Sequence, residues 1–487
     1  MKEFEYTFQK GLQHGLSPDK GNPTNSEFLS DCWNVKCSPL GLVSYNELAA
    51  PFSNTVIWPF PQFFAGMTQG LLCTGTEVFV VGSDYSQTFK VSTSQGTFWS
   101  LADFGPYVIL ANGVSVVIPS MTTGVWSAYT TAPSTTLPLL GTVCNFKGQL
   151  VGGNVKSDWY GEGSNSVVWS DIGSVNCTPG LKNEAGHRPM NWNGSVLMVK
   201  RLGDFCLVYG DSGISALVPA QQMFGLKEVP SGGILWAGAV GGDLEKHLFV
   251  SSENELWLIE KTLDPKRLGY REILKDMTNP VVSHDPTLDE FHVSDDVSGY
   301  VLTFTARGSL VSPAAMALTK CYQRPTSVGN FGGKRVGMSK NSDDYSVQVV
   351  TDVMDFGVRS LKTVAMIECD FESDVPLYLA VDYRYDKRGS FTRSAWRLTN
   401  KEGVAWCGVT AVDFRICLKS VITTGDTLVM EDGSTIVLED GSELLTEGSG
   451  QDDFRNFKLS KINCKIKFTD KRFMVRGPYQ RNIQNAT

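Results

Sequence analysis

The chain has 487 residues, of which 42% are hydrophobic, 11% aromatic and 19% charged. That length exceeds what a single core usually supports, so two or three domains are expected, and the composition excludes wholesale disorder. A net charge of −8 argues against a protein that grips nucleic acid through a basic face, but it permits one past which DNA slides, because an acidic wall repels phosphate.

The opening MKEFEYTFQK is charged and lacks the apolar core of a signal peptide, and no apolar stretch is long enough to span a bilayer. The expectation is a soluble, non-secreted protein without membrane insertion. The eleven cysteines are scattered from Cys32 to Cys464, and the only close pair, Cys32 and Cys37, has no matching second pair for zinc. They read as small buried core residues carrying free thiols in a reducing compartment.

Apolar residues seldom recur at helical spacing, whereas alternating runs such as Leu248–Val250 and Leu256–Ile259 are common, and Gly 48 and Pro 21 supply many turns. The fold class expected is all-β. Residues 1–50, turn-rich at Gly11, Gly15, Pro18, Gly21 and Pro23, read as an extended N-terminal arm closing against the body. Residues 51–335 alternate short strand-like runs with turn signals. FGPYVILANGVSVVI (Phe104–Ile118) and LGDFCLVYGDSGISAL (Leu202–Leu217) have one strand–turn–strand form, and KHLFVSSENELWLI (Lys246–Ile259) and DEFHVSDDVSGYVL (Asp289–Leu302) repeat it. Val250 and Val293 stand at equivalent points 43 residues apart, and Leu207–Val208 precede Val250 by nearly the same interval. Strand-only repeats of that period suit the blades of a β-propeller. The alternative is an irregular β-sandwich whose hairpins look alike because hairpins do.

Residues 336–487 carry longer alternating strands, VQVVTDVMDFG, TVAMIECDFES, VPLYLAVDYRY, TAVDFRICLKS and KINCKIKFTD, which predict a C-terminal β-sandwich domain. Set into it at 426–453 is an eight-residue repeat, LVMEDGS, IVLEDGS and LLTEGSG, with Glu431, Glu439 and Glu447 in register. Each Asp-Gly or Glu-Gly is a turn signal behind three apolar residues, so an inserted acidic hairpin repeat is expected. Its nine carboxylates are Asp426, Glu431, Asp432, Glu439, Asp440, Glu443, Glu447, Asp452 and Asp453, without one Lys or Arg. Calcium loops fit less well, since nonapeptide β-helices repeat at nine.

Catalytic patterns are missing. The histidines, His14, His187, His247, His284 and His292, form no metal pair at i, i+4, and no GxSxG, Walker loop or dinucleotide fingerprint occurs. His284 and His292 sit among Asp285, Asp289, Asp295 and Asp296, which reads as a solvated edge in preference to a metal cluster. SDIG at Ser170–Gly173 differs from a sialidase Asp-box, which separates the Ser from the Asp. No enzyme, cofactor or metal is expected.

Three stretches together resemble a known family. GLQHGLSPDKGNPTNSEFLSDCWNVKCSPLGLVSY (Gly11–Tyr45) is similar to the opening of tailed-phage virion proteins, VVWSDIGSVNCTPG (Val167–Gly180) to a Trp-Ser-x-Ile-Gly segment of their propeller region, and KRFMVRGPY (Lys471–Tyr479) to their closing strand. The family is the tail nozzle, or packaged-DNA stabilisation (tail accessory) protein, of short-tailed bacteriophages, and the resemblance extends to chain length and domain order; the octad insert is not one of its core features. It implies a hexameric ring in the virion tail, assembled in the host cytoplasm, that extends the channel of the portal and adaptor. Such a ring retains packaged DNA, conducts it at ejection without specific binding, and anchors tail fibres, spikes or a needle.

Two candidate sites accompany this reading. Lys471, Arg472 and Arg476 form a basic stretch that reads as a subunit or adaptor interface, or as a solvated strand edge. The carboxylates of 426–453 read as an acidic channel or tip, or as a solubilising surface hairpin. The rival function is a carbohydrate-binding or carbohydrate-active propeller acting as receptor-binding protein, with Trp and Tyr as sugar platforms. A cellular WD-type scaffold lacks support, because the blade's Gly-His and Trp-Asp signature is missing.

Overall fold

The structure is a computed structural model that describes residues 1–8, 10–12, 28–49, 52, 61–66, 69–120, 123–157, 161–220, 224–305, 315–341, 346–373, 377–386, 388–420 and 457–468. Among these the fold is all-β, with α-helix confined to the single turn Arg271–Leu274.

Six four-stranded antiparallel meanders follow one another along the chain. The first is Gln62–Ala65, Gly70–Cys73, Glu77–Val81 and Gln87–Ser92, and the second is Ser100–Asp103, Val108–Ala111, Val116–Pro119 and Trp126–Tyr129. The third is Leu139–Phe146, Gln149–Ser157, Gly161–Trp169 and Gly186–Pro189, and the fourth is Val196–Leu202, Phe205–Gly210, Ile214–Pro219 and Phe224–Val229. The fifth is Val240–Gly242, Lys246–Val250, Leu256–Glu260 and Pro265–Gly269, and the sixth is Val281–Asp285, Glu290–Ser294, Gly299–Phe304 and Met316–Cys321. A hairpin, Gln323–Phe331 with Lys334–Asn341, makes the seventh sheet.

Turn chemistry explains the hairpins. Phe146 pairs with Gln149 across Lys147 (φ 52°) and Gly148 (φ 83°), and Phe331 pairs with Lys334 across Gly332 (φ 59°) and Gly333 (φ 73°). Two positive φ values in succession match the twist of the flanking strands, which is why Gly stands there. At Asn112-Gly113 the Asn112 Oδ1 accepts the amides of Val114 (3.1 Å) and Ser115 (2.7 Å), an Asx-type turn.

The chain divides into two compact units, Met1–Asn46 with Val301–Tyr322 and Ser342–Thr487, and Glu47–Tyr300 with Gln323–Asn341. In the second of these the core is a series of slabs, each between consecutive sheets. Leu71, Cys73 and Val78 of the first sheet meet Val108, Leu110 and Val117 of the second. Ile109, Ala111 and Val116 meet Val143, Leu150 and Val168, and Cys144, Val151 and Val167 meet Val199, Cys206 and Val208. Leu207, Tyr209 and Ala216 meet Val240, Phe249 and Ile259. The series closes, because Phe63, Leu72 and Val81 of the first sheet pack on Val336 and Met338 of the seventh.

Alternate residues of one strand serve the two slabs on either side, Val143 and Cys144 in one case, Leu207 and Val208 in another. Both faces are buried, so these strands read as continuous apolar runs, and each fully buried Val or Leu contributes about 1.5–3 kcal/mol. Sheets stacked face to face, with the last returning to the first, are consistent with a β-propeller. Val208, Val250 and Val293 lie in the second strands of three successive sheets, the equivalence that their spacing predicts.

The other unit holds two six-stranded sheets. One runs Val35–Ser38, Gly41–Ser44, Lys458–Phe468, Lys362–Glu372 and Val404–Ala411, with Lys2–Thr7 also on Lys458–Phe468. The other runs Leu29–Trp33, Gln348–Thr351, Asp413–Lys419, Tyr378–Arg384 and Thr392–Arg393, with Arg397–Leu398 also on Tyr378–Arg384. Phe414, Ile416 and Leu418 are fully buried on one face of their strand, and on the other Asp413, Cys417 and Lys419 are buried as well, with Arg415 half-buried.

Candidate functional site

The two sites expected from sequence, the basic stretch Lys471, Arg472 and Arg476 and the acidic repeat 426–453, lie outside the described residues. The described chemistry gathers along the first strands of the sheets in the 47–300 unit.

The first strand of a meander is an edge, and its outward N–H groups need acceptors. One bond answers this need four times in succession. Ser327 Oγ accepts the Phe63 amide (2.7 Å), Gln62 Oε1 accepts that of Trp99 (2.7 Å), Ser100 Oγ that of Val143 (2.9 Å) and Thr142 Oγ1 that of Val199 (3.2 Å). These four polar side chains are buried, and each ties one first strand to the start of the next. Sequence reading missed them, although Gln62, Ser100 and Thr142 recur at 38 and 42 residues, close to the period of the hairpins.

Ion pairs add a second set of ties where first strands turn into second strands. Lys147 Nζ lies 3.0 Å from Asp204 Oδ1, joining the third sheet to the fourth. Lys246 Nζ lies 2.5 Å from Asp289 Oδ2, joining the fifth to the sixth, and His284 Nε2 donates to the other oxygen of Asp289 at 3.2 Å. Arg335 of the seventh sheet donates from Nε (2.7 Å) and Nη2 (2.5 Å) to Asp285 Oδ2 of the sixth. Burial works to raise the Asp285 carboxyl, but the Arg335 fork and charge outweigh it and hold it below the usual carboxylate range. Asp289 behaves alike, with burial overcome by hydrogen bonds from His284 and Lys246. The exposed Lys147–Asp204 pair is screened by solvent and contributes little, and the 285–335 pair is the strong one.

His284 and His292 do not converge. Ser283 pairs with His292 and His284 with Phe291, so the two imidazoles stand on opposite faces of their hairpin. Among the described residues no group of three His, Cys, Asp or Glu could hold a metal ion.

His247 is a strongly perturbed histidine. Its Nδ1 accepts from the Tyr209 hydroxyl (2.8 Å) and its Nε2–H donates to the Arg201 carbonyl (3.1 Å), which fixes one neutral tautomer. Burial, aided by the charge of Lys200, lowers its pKa to about 3. Lys200 is itself lowered to about 8 by its surroundings, with Asp243 opposing. In the other unit Lys362 is also lowered to about 8 by burial, and its ammonium donates to the carbonyls of Val358 (2.6 Å), Ser360 (3.2 Å) and Val412 (2.5 Å). These hydrogen bonds make His247 and Lys362 structural clips, since the proton-accepting and donating positions are already spent.

No family model and no curated protein matches the chain. Among solved structures it is similar to the WD40 domain of Neurospora crassa Pan2, with 10% identity over 60% of this chain and 86% of that one, at a TM-score of 0.37. It is also similar to PorZ, a surface component of the type-IX secretion system of Porphyromonas gingivalis (8% identity, 61% of this chain, 36% of that one, TM-score 0.34), and to Kluyveromyces lactis Hsv2 (8%, 53% and 83%, TM-score 0.33). Values this low leave the reading of function to the chain's own geometry. The class that geometry defines is an all-β protein of stacked four-stranded sheets, braced from sheet to sheet by side chains.

Proposed function

We propose that this chain is a structural virion protein, the tail nozzle of a short-tailed phage. Six copies form a ring below the portal and adaptor, retain the packaged DNA, conduct it at ejection and anchor fibres or spikes. The observation that carries the reading is the closed series of sheets whose first-strand polar groups are spent on holding neighbouring sheets together: Gln62, Ser100, Thr142 and Ser327 on amides, Asp285 and Asp289 on Arg335 and Lys246. Such a body transmits load and works by shape. The sequence resemblance through Gly11–Tyr45, Val167–Gly180 and Lys471–Tyr479 supplies the particular role. In this proposal the two six-stranded sheets are the layers of the C-terminal β-sandwich, and 426–453 is its acidic insert facing a wet channel or tip.

Electron microscopy of the purified protein, alone and with the portal–adaptor complex, tests the ring; heterologous contacts that close give cyclic symmetry, here six-fold. Replacing the nine carboxylates of 426–453 by Asn or Gln should leave particles intact and slow DNA ejection. Unchanged ejection would return the insert to a solubilising role.

A further inference from the structure

One face of the sheet containing Tyr378–Arg384 and Asp413–Lys419 carries an arginine, Arg415, for which the described residues provide an aromatic ring but no carboxylate in contact. Asp382 pairs with Arg415 in register and Arg384 with Asp413, so these four side chains share a face. Two of its arginines are already spoken for. Arg384 Nε donates to Asp413 (2.8 Å), and Arg393 from the next strand makes a bidentate pair with Asp382 (2.6 and 2.9 Å). Arg415 makes no such bond: its Nε is buried without an acceptor, and its guanidinium carbon stands 4.2 Å from the centroid of Phe391, which Arg384 also flanks at 4.7 Å. The ring holds the guanidinium in place, and Asp382 and Asp352 act on it only through space.

An arginine pre-oriented on an aromatic ring, half-buried and without an ion-pair partner among the described residues, can receive a planar oxyanion on the part of its guanidinium beyond the buried Nε. We propose that Arg415 receives a carboxylate side chain from a second copy of this chain, as one charged contact of the ring interface; the inference rests on the assembly proposed above. Charge favours this occupant. Residues 377–420 carry eight Lys or Arg against four Asp or Glu, a surplus of +4 in a chain of −8, so the rest of each copy stands at −12. A nucleic-acid backbone is the poorer fit, because gripping one takes several free cations and here the neighbouring arginines are neutralised by Asp413 and Asp382.

The test is sedimentation of the full chain, alone and with the portal–adaptor complex, at low and high salt, for the wild type, Arg415→Gln and Arg415→Lys. The ring of R415Q should be weakened about tenfold or more and lose much of its salt dependence, with R415K in between because it keeps the charge without the fork. The melting temperature of each variant's monomer should match the wild type, which separates a lost contact from a lost fold. A wild-type ring that R415Q reproduces at every concentration and salt would overturn this contact and leave the ring standing. A wild type that never assembles would overturn both. R415Q with an unchanged ring but lost retention of double-stranded DNA would assign the arginine to phosphate instead.

Discussion

At the scale of residues, the Tyr209 hydroxyl and the Arg201 carbonyl specify His247 as a neutral imidazole, and that has a consequence in solution. Its folded pKa of about 3 lies below the unfolded value of about 6.5, so the unfolded chain binds the extra proton between those limits. The stability that His247 contributes is full above about pH 6.5 and drains away as the pH falls toward about 3, with a slope of at most about 1.4 kcal/mol per pH unit. Denaturant melts across that window should therefore show a shallower decline for His247→Gln than for the wild type. An identical decline would mean that the imidazole is charged in the folded state. The thiols give a second check. Ten of the eleven cysteines are buried and the half-buried Cys407 is pushed up to about 12 by its surroundings, so a thiol reagent at neutral pH should find almost none in the native protein and all eleven after denaturation.

Elements here are held by what passes between sheets. Thr142 is buried and accepts the Val199 amide, so Thr142→Val keeps the volume and orphans that N–H, at a cost of about 1–3 kcal/mol, while Thr142→Ser should restore most of the loss. A Thr142→Val protein as stable as the wild type would show that the repeated bond contributes nothing. Asp285→Asn leaves the mostly buried Arg335 guanidinium without its charge partner where the seventh sheet meets the sixth, and should cost about 3 kcal/mol. These elements were only partly legible in sequence. Asn112-Gly113 marks its hairpin by turn chemistry, and the even spacing of Val208, Val250 and Val293 marks successive second strands. The first strands escape such reading. Val240–Gly242 is three residues long and has no pattern to detect, because its place is set by packing against Val281–Asp285. The ties of Gln62, Ser100, Thr142 and Ser327 are single polar residues, visible only to a search at the repeat period.

For the whole molecule, composition and alternation sufficed for the all-β class, but pairings of remote segments did not. Lys2–Thr7 pairs with Lys458–Phe468, and Leu29–Trp33 with Gln348–Thr351, contacts between residues hundreds apart that no local propensity encodes. Arg415 was equally hidden: in sequence it is one charge in an alternating strand, and its lack of an ion-pair partner among the described residues depends on where Asp382 and Asp413 are already engaged. The basic stretch at Lys471, Arg472 and Arg476 offers a test of assembly in vivo, since Arg476→Glu should impair particle formation if it meets a neighbouring subunit or the adaptor. Phage carrying that change and infecting normally would leave it as a solvated edge.

The most direct measurement is a reconstruction of the virion at a resolution that places this chain. Six copies in a ring coaxial with the portal and adaptor, enclosing the DNA path, is the predicted result. Finding the chain at a three-fold spike, or nowhere in the particle, would contradict the account.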